Sequence, residues 1–405
     1  MTTIPQKGSE VEGLYQQYVM PTYVRVGLTI ARGRGSSLWD TAGRRYLDFF
    51  PGWGVSSLGH CPPAVVRAVR QQVGTLIHVP NSYYHAPQAR LAKTLVESAF
   101  DGKVFFSNSG AEAVEGAIKL VRRWGNPSRW EILTMRQSFH GRTLGALAAT
   151  GQPKYQQGFQ PLPPGFKTVP FNDLEAVIHA ITPHTVAIMV EPIQGEGGIH
   201  VATPAFLKGL RQVCDRRKLL LIFDEIQTGF GRTGTLFAYQ HDGVVPDILL
   251  LAKAIAGGLP MGAILAHRPI ADTLTAGTHA ATFGGSPLVC AAALAVLATV
   301  KKPAFLARVR QRSQQFRGYL ETLQKRHPAI TDIRGRGLMF GLQLDRPGAP
   351  VVEHCRRNSL LINCTQERVL RLMPALTVTA ADLTAATRTL DAALSETASG
   401  GGETR

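Results

Sequence analysis

Short, largely apolar runs of strand length recur through the middle of this chain, and stretches of helical character separate them. Trp130 to Met135, Val186 to Val190, Leu219 to Phe223 and Ile248 to Leu251 are such runs, and Pro204 to Arg217 is the clearest helix between them. A strand without polar alternation has both faces covered, and strands of this kind alternating with helices form a mostly parallel sheet between helical layers. Ligands of such sheets sit beyond the carboxyl ends of the strands. Polar residues directly after each run are therefore the first candidates for a site.

The pattern changes after Ser286. Pro287 to Val300 reads as a buried, Ala-rich helix. A second helix, Ala304 to Lys325, carries Phe305, Val309, Phe316, Leu320 and Leu323 on one face, and Arg308, Arg310, Arg312 and Arg317 on a face expected to be solvated. Strands are expected around Ile333 to Gln343, Leu360 to Cys364 and Val369 to Met373. A last helix opens at Thr379, an N-cap with Asp382 three residues on. This part reads as a small α+β domain.

Composition closes off some functions. The chain is 44% hydrophobic and 18% charged, which is ordinary for a globular protein. No apolar run reaches the roughly 18 residues of a membrane helix; Leu288 to Val300 is the longest candidate and ends at Lys301. The N-terminus lacks an apolar signal core and carries Glu10 and Glu12, so a cytoplasmic protein is expected. The five cysteines are scattered without a C-x-x-C pair, which suggests neither a disulfide framework nor a zinc site. The net charge of +16 is spread along the chain without a basic run or interleaved aromatics, so no nucleic-acid partner is expected.

The candidate residues follow the apolar runs. In Ser107-Asn-Ser-Gly-Ala-Glu112, Ser109 and Glu112 have capping-box spacing, so a helix starts there just after a strand. Its free N–H groups favour an anion, and Gly110 permits close approach. Leu219 to Phe223 delivers Asp224 at its carboxyl end, where an acid caps a turn, binds a metal or pairs with a cation. No His or Cys follows at ligand spacing, which disfavours a metal. Gly229-Phe-Gly-Arg-Thr-Gly234 matches G-x-G-x-x-G, yet its continuation lacks the helix and distal acid of a dinucleotide fold. A Gly-rich active-site loop fits it better. Pro246 to Lys253 is another buried run, ending in a cation that is costly at such depth unless paired or used covalently.

Taken with Leu38-Trp-Asp40, Leu58-Gly-His60, Ser138-Phe-His-Gly-Arg-Thr143, Glu191-Pro-Ile-Gln-Gly-Glu-Gly197, Thr282-Phe-Gly-Gly285 and Arg334-Gly-Arg-Gly-Leu-Met339, these segments resemble the class III (ω-) aminotransferases of fold type I. The resemblance runs from about Tyr23 to the final helix. It implies an α/β fold with residues 56–290 as a large domain that binds pyridoxal 5'-phosphate. Residues 1–55 would belong to the small domain with 291–392, and 393–405 would form a disordered tail.

By resemblance, Lys253 is the lysine that links covalently to the cofactor and shuttles the proton. Asp224 pairs with the pyridine nitrogen, Gln227 lies near the ring hydroxyl, Phe139 stacks on the ring, and Gly110 and Ala111 hold the phosphate. Thr282 reaches the phosphate from a neighbouring subunit, which implies a homodimer with shared sites. Arg142 binds the substrate carboxylate, with Tyr23 in the same pocket. Glu196 and Arg371 form a pair that opens when glutamate or 2-oxoglutarate enters.

The chain departs from the family pattern at Ala281 and Ser286, where Ser and Asn are usual, so at Ala281 only a backbone contact to substrate survives. Val114 replaces a common Asn. The Arg334–Met339 and Gly151–Gln156 segments are most similar to the branch acting on N-acetylornithine and 2-oxoglutarate. Ornithine, succinylornithine, 4-aminobutyrate or a lysine-pathway amine remain as other donors, and a nucleotide-binding protein as the alternative of a different class.

Overall fold

In the computed structural model, which describes residues 8–399, a helix (Gly8–Tyr18) leads into three antiparallel strands, β1 (Ile30–Arg34), β2 (Ser37–Asp40) and β3 (Arg45–Asp48). The apolar runs then build one sheet from β4 (Lys103–Ser107), β5 (Glu131–Met135), β6 (Phe166–Val169) and β7 (Thr185–Val190). A small hairpin of β8 (Ile193–Gln194) and β9 (His200–Val201) intervenes, and β10 (Leu220–Asp224), β11 (Ile248–Leu251) and β12 (Gly262–Ala266) complete it. The order is β4-β12-β11-β10-β7-β5-β6, parallel except for β12, which runs antiparallel to both neighbours.

Both faces of this sheet are covered, as unbroken apolar runs require. Ile132, Ala187, Met189, Ile222 and Leu250 pack on one side against Ala113, Ala117 and Val121 of the helix Gly110–Gly125. Their neighbours Leu133, Ile188, Leu221, Phe223 and Leu249 point to the opposite side, where Phe206 and Leu210 of the helix Pro204–Arg217 and Val296 of Pro287–Val300 lie. The period of two along each strand distributes one sequence between two cores. No single helix among the described residues is long and apolar enough to cross a membrane.

The C-terminal part forms a second antiparallel sheet of β13 (Ile330–Gly335), β14 (Phe340–Leu344), β16 (Asn363–Thr365) and β17 (Val369–Leu372), while β15 (Leu360–Leu361) pairs in parallel with β3. Two single expected strands are therefore divided. Ile333 to Gln343 turns back on itself at Gly337, whose φ is 63° and where a Cβ would lie 2.3 Å from the Arg232 carbonyl oxygen. Leu360 to Cys364 leaves one sheet and enters another at Ile362.

The long helix spans Pro303–Arg326 and buries Phe305, Val309, Phe316, Leu320 and Leu323. Its arginines are not simply solvated: Arg310 donates to the Gly234 carbonyl at 2.8 Å and Arg317 to that of Gly335 at 2.9 Å. They fasten the loop at Gly234 and the end of β13. The last helix runs Ala380–Ser399, through residues 393–399 that the sequence places in the tail, because Ala393 and Leu394 continue its buried face. Residues 400–405 of that tail lie outside the described residues.

At the start of that helix the Asp382 N–H donates to Thr379 Oγ1 at 3.1 Å, and the Thr379 N–H donates to Asp382 Oδ2 at 3.0 Å. This reciprocal cap satisfies two donors that the helix leaves free. Thr379→Ala is expected to destabilise the C-terminal part by about 1 kcal/mol, read as a lower urea midpoint with an unchanged slope.

Candidate active site

Adjacent parallel strands deliver the polar residues of the site. β7 ends at Val190 and hands on to Glu191, β10 ends in Asp224, and β11 is followed by Ala252 and Lys253. β10 lies between the other two, so these side chains emerge side by side at the carboxyl edge of the sheet. The helix Gly110–Gly125 opens at the same edge, directly after β4. Ser109 caps it, accepting from the Glu112 N–H at 3.1 Å, while Glu112 accepts from the Asn108 N–H at 2.5 Å. That leaves the first helical N–H groups, at Gly110 and Ala111, without an intrahelical acceptor.

These elements enclose a cavity of about 260 Å³. Gly110, Ala111, Phe139, Arg142, Glu196, Asp224, Gln227 and Lys253 all line it, as do His140 and Glu191, which the sequence did not single out. Glu191 was accessible to the rule that found Asp224, since it directly follows an apolar run. His140 carried no such signal: its partner Asp224 is 84 positions away.

Lys253 has left-handed backbone (φ 48°), a conformation costing an L-residue about 1–2 kcal/mol. Its ammonium makes no hydrogen bond or ion pair with any described residue, and burial pushes its pKa down. The Glu196 charge opposes that shift and Arg371 reinforces it. An amine that is less readily protonated is a better nucleophile.

Asp224 is held from two sides. Its Oδ2 accepts from His140 Nδ1 at 2.7 Å and its Oδ1 from the Ile226 N–H at 3.1 Å. Burial alone would lower the His140 pKa, but the Asp224 carboxylate raises it above the ordinary value. Glu191 accepts from the N–H groups of Phe139 at 3.1 Å and Gly195 at 3.3 Å. Burial nevertheless pushes its carboxyl up to about 8, with the Asp224 charge adding to the shift.

Gln227 Nε2 donates to the Trp53 carbonyl at 3.3 Å, while its Oε1 is buried without a partner. Arg142 is exposed at the mouth, its guanidinium carbon 4.1 Å from the Tyr155 ring centre and 5.6 Å from that of Phe139. It makes no ion pair among the described residues. Glu196 pairs with Arg371, Nη1 to Oε1 at 2.6 Å and Nη2 to Oε2 at 3.2 Å. Burial raises the Glu196 carboxyl, but the charge and hydrogen bonds of Arg371 more than reverse this and hold it below its ordinary value.

Other expected residues lie elsewhere. Tyr23 is 66% exposed and outside the cavity. Ala281 and Thr282 sit on a loop fastened by Asn81 Nδ2, which donates to the carbonyls of Ala281 at 3.2 Å and Gly284 at 3.0 Å. The Gly229–Gly234 loop is not part of the cavity wall, which corrects its reading as an active-site loop. Its Arg232 is buried and donates to the carbonyls of Leu338 at 2.9 Å and Pro374 at 2.6 Å, joining the large sheet to the C-terminal part.

The arrangement suits a ligand with an anion at one end, a protonated ring nitrogen at the other, and a carbonyl within reach of an amine. Relatives of this chain share such chemistry. The sequence matches the Aminotransferase class-III family over residues 18–394. It is 50% identical to the acetylornithine aminotransferase of Caldanaerobacter subterraneus subsp. tengcongensis, covering 94% of this chain and 98% of that protein. The acetylornithine aminotransferase of Methanocaldococcus jannaschii is 48% identical, over 95% and 97% of the two chains. Among solved structures, ornithine aminotransferase from Toxoplasma gondii, described with partial occupancy of PLP at its active site, superposes with a TM-score of 0.94. It is 33% identical and covers 97% of this chain and 95% of that one. N-acetylornithine aminotransferase from Stenotrophomonas maltophilia superposes with a TM-score of 0.82, at 36% identity over 96% and 99% of the chains. The chain belongs to the class-III aminotransferase family, whose members depend on pyridoxal 5'-phosphate.

Proposed function

We propose that this chain transfers the terminal amino group of N2-acetyl-L-ornithine to 2-oxoglutarate, giving N-acetylglutamate 5-semialdehyde and glutamate, as a cytoplasmic homodimer. The observation that carries the chemistry is Lys253: an amine without a hydrogen-bond or ion-pair partner among the described residues, in one cavity wall with Asp224 and the open N-terminus of a helix.

The cavity's donors and acceptors fit pyridoxal phosphate. Gln227 Oε1 is a buried acceptor in need of a donor such as the ring hydroxyl. A Cβ at Gly110 would lie 3.0 Å from Ile226, so the phosphate-facing turn tolerates nothing larger than glycine without displacing its neighbour. Gly110 and Ala111 would hold the phosphate, Asp224 the ring nitrogen, Phe139 the ring face, and Lys253 the carbonyl carbon. When bound, the group supplies an electron sink for charge that develops on the substrate carbon.

The residues then divide the remaining tasks. Lys253 Nζ would take the proton from the carbon that bears the donor amine and hold it for delivery to the carbon that takes over the amino group; tethering keeps it beside both. His140 and the Ile226 N–H donate to the two oxygens of Asp224 and so fix the orientation of the carboxylate toward the ring nitrogen. Arg142, stacked on Tyr155 and free of acidic neighbours, grips the donor's carboxylate. Glu196 neutralises Arg371 while this singly acidic donor is bound, and releases it for the second carboxylate of 2-oxoglutarate.

Dimerisation is supported by the exposed apolar surface around the Thr282 loop, with Tyr83 64%, Tyr84 107% and Phe283 63% exposed. In a dimer the partner's Thr282 would complete the phosphate site, with Tyr23 and the Ala281 carbonyl at the substrate mouth. The same reading keeps residues 56–290 as the cofactor-binding domain and 1–55 with 291–392 as the smaller one. The pairing of β15 with β3 supports that grouping.

Borohydride reduction of the holoenzyme followed by proteolysis is expected to add the mass of the reduced cofactor to the peptide containing Lys253. Capture elsewhere, or none, would refute the assignment. Lys253→Ala is expected to lower kcat by at least about a thousandfold. Arg142→Ala should raise KM for N-acetylornithine by about ten- to a hundredfold with kcat little changed, the signature of lost ground-state binding.

A further inference from the structure

Arg371 is 1% exposed, and each of the five N–H donors of its guanidinium meets an acceptor. Two belong to the ion pair with Glu196. Nη1 also donates to the Gly195 carbonyl at 3.0 Å. The remaining two converge on one atom, Asn363 Oδ1, from Nε at 3.2 Å and Nη2 at 2.9 Å. A guanidinium only donates, so the amide oxygen of Asn363 must face it. Phe50 lies against the guanidinium with its ring centre 4.5 Å from Cζ.

Asn363 and Arg371 are direct partners in the antiparallel pairing of β16 with β17. Their contact is therefore built into the sheet and does not depend on Glu196. Glu196 is fixed differently. Its carbonyl oxygen accepts from Thr365 Oγ1 at 2.7 Å and Gln366 Nε2 at 2.8 Å, which pins the backbone, while its carboxylate forms an ion pair with Arg371 and a side-chain hydrogen bond with Gln227. Beside it opens a second cavity of about 480 Å³, with Lys154 and Tyr155 in its wall, into which the side chain has room to turn.

We propose that Asn363 is a positioning residue that keeps Arg371 in place while Glu196 turns away, so that exchange of substrates moves one side chain instead of two. The inference rests on the reading that Arg371 receives the second carboxylate of 2-oxoglutarate. With Glu196 gone, Arg371 keeps Asn363, the Gly195 carbonyl and Phe50. One N–H on Nη1 and one on Nη2 then face the vacated position side by side, the geometry a carboxylate accepts in two parallel bonds. Without the Asn363 oxygen, a buried guanidinium left with one carbonyl follows Glu196 instead, and the pair stays closed.

The test separates the two half-reactions in the holoenzyme. Asn363→Ala is expected to leave the single-turnover rate with N-acetylornithine within about twofold, because that step proceeds with the pair closed. It should raise KM for 2-oxoglutarate, and Kd for the unreactive dicarboxylate glutarate, by about tenfold, as for loss of a hydrogen bond to a charged group. Asn363→Asp preserves size and fold but cancels the Arg371 charge, and should raise the same two constants while sparing the donor step. Losses shared equally between both half-reactions, or unchanged constants for 2-oxoglutarate and glutarate, overturn the proposal. Arg371→Ala distinguishes the levels: if it leaves KM for 2-oxoglutarate unchanged, the substrate reading itself fails. If it raises KM while Asn363→Ala does not, only the role of Asn363 fails.

Discussion

An ammonium group set in a cavity wall with no ion-pair partner among the described residues is expensive, and Lys253 is such a group. The site is arranged around that cost. β7, β10 and β11 run in parallel and in register, Leu221 opposite Ile188 and Phe223 opposite Leu249, so their carboxyl ends present Glu191, Asp224 and Lys253 together. The strands themselves are wholly buried. Hydrophobic packing on both faces of the sheet thus holds in place a cluster of charges that would not assemble on its own.

Within the cluster each charge is tuned by its neighbour. Burial pushes Glu191 up to about 8, and Asp224 raises His140 against the effect of burial. Glu191 and His140 therefore both bind their protons more tightly than free side chains would, on either side of the Asp224 carboxylate that lines the cavity. At the other end Glu196 is held below its ordinary pKa by Arg371, with which it forms an ion pair in the same wall. A rigid acid–amine axis therefore sits beside a movable ion pair, which suits an enzyme that must bind unlike substrates in turn.

Much of this was legible in the sequence where local physics decides. The strands β10 and β11, the helices Pro204–Arg217 and Pro287–Val300, and the caps at Ser109 and Thr379 follow from apolar runs and capping residues within a few positions. β12 was missed because Gly257, Gly258, Pro260 and Gly262 surround it with turn signals, and only its pairing with β4 and β11 makes it a strand. The division of Leu360 to Cys364 between two sheets, the role of His140 and the anchoring of Arg232 depend on contacts distant in sequence, and no local pattern encodes them. The loop Gly229–Gly234 shows the same limit. Its glycines announced a special backbone, but only the fold shows that the backbone serves Arg232 and Gly337 and leaves the ligand to other residues.

The account is tested most directly by single-turnover spectroscopy of the holoenzyme mixed separately with N-acetylornithine, ornithine and 4-aminobutyrate. It predicts the fastest loss of the cofactor's yellow absorbance with N-acetylornithine, and recovery of that absorbance on adding 2-oxoglutarate. Faster loss with either other amine would contradict the assigned donor, and the absence of any change with all three would contradict the assigned chemistry.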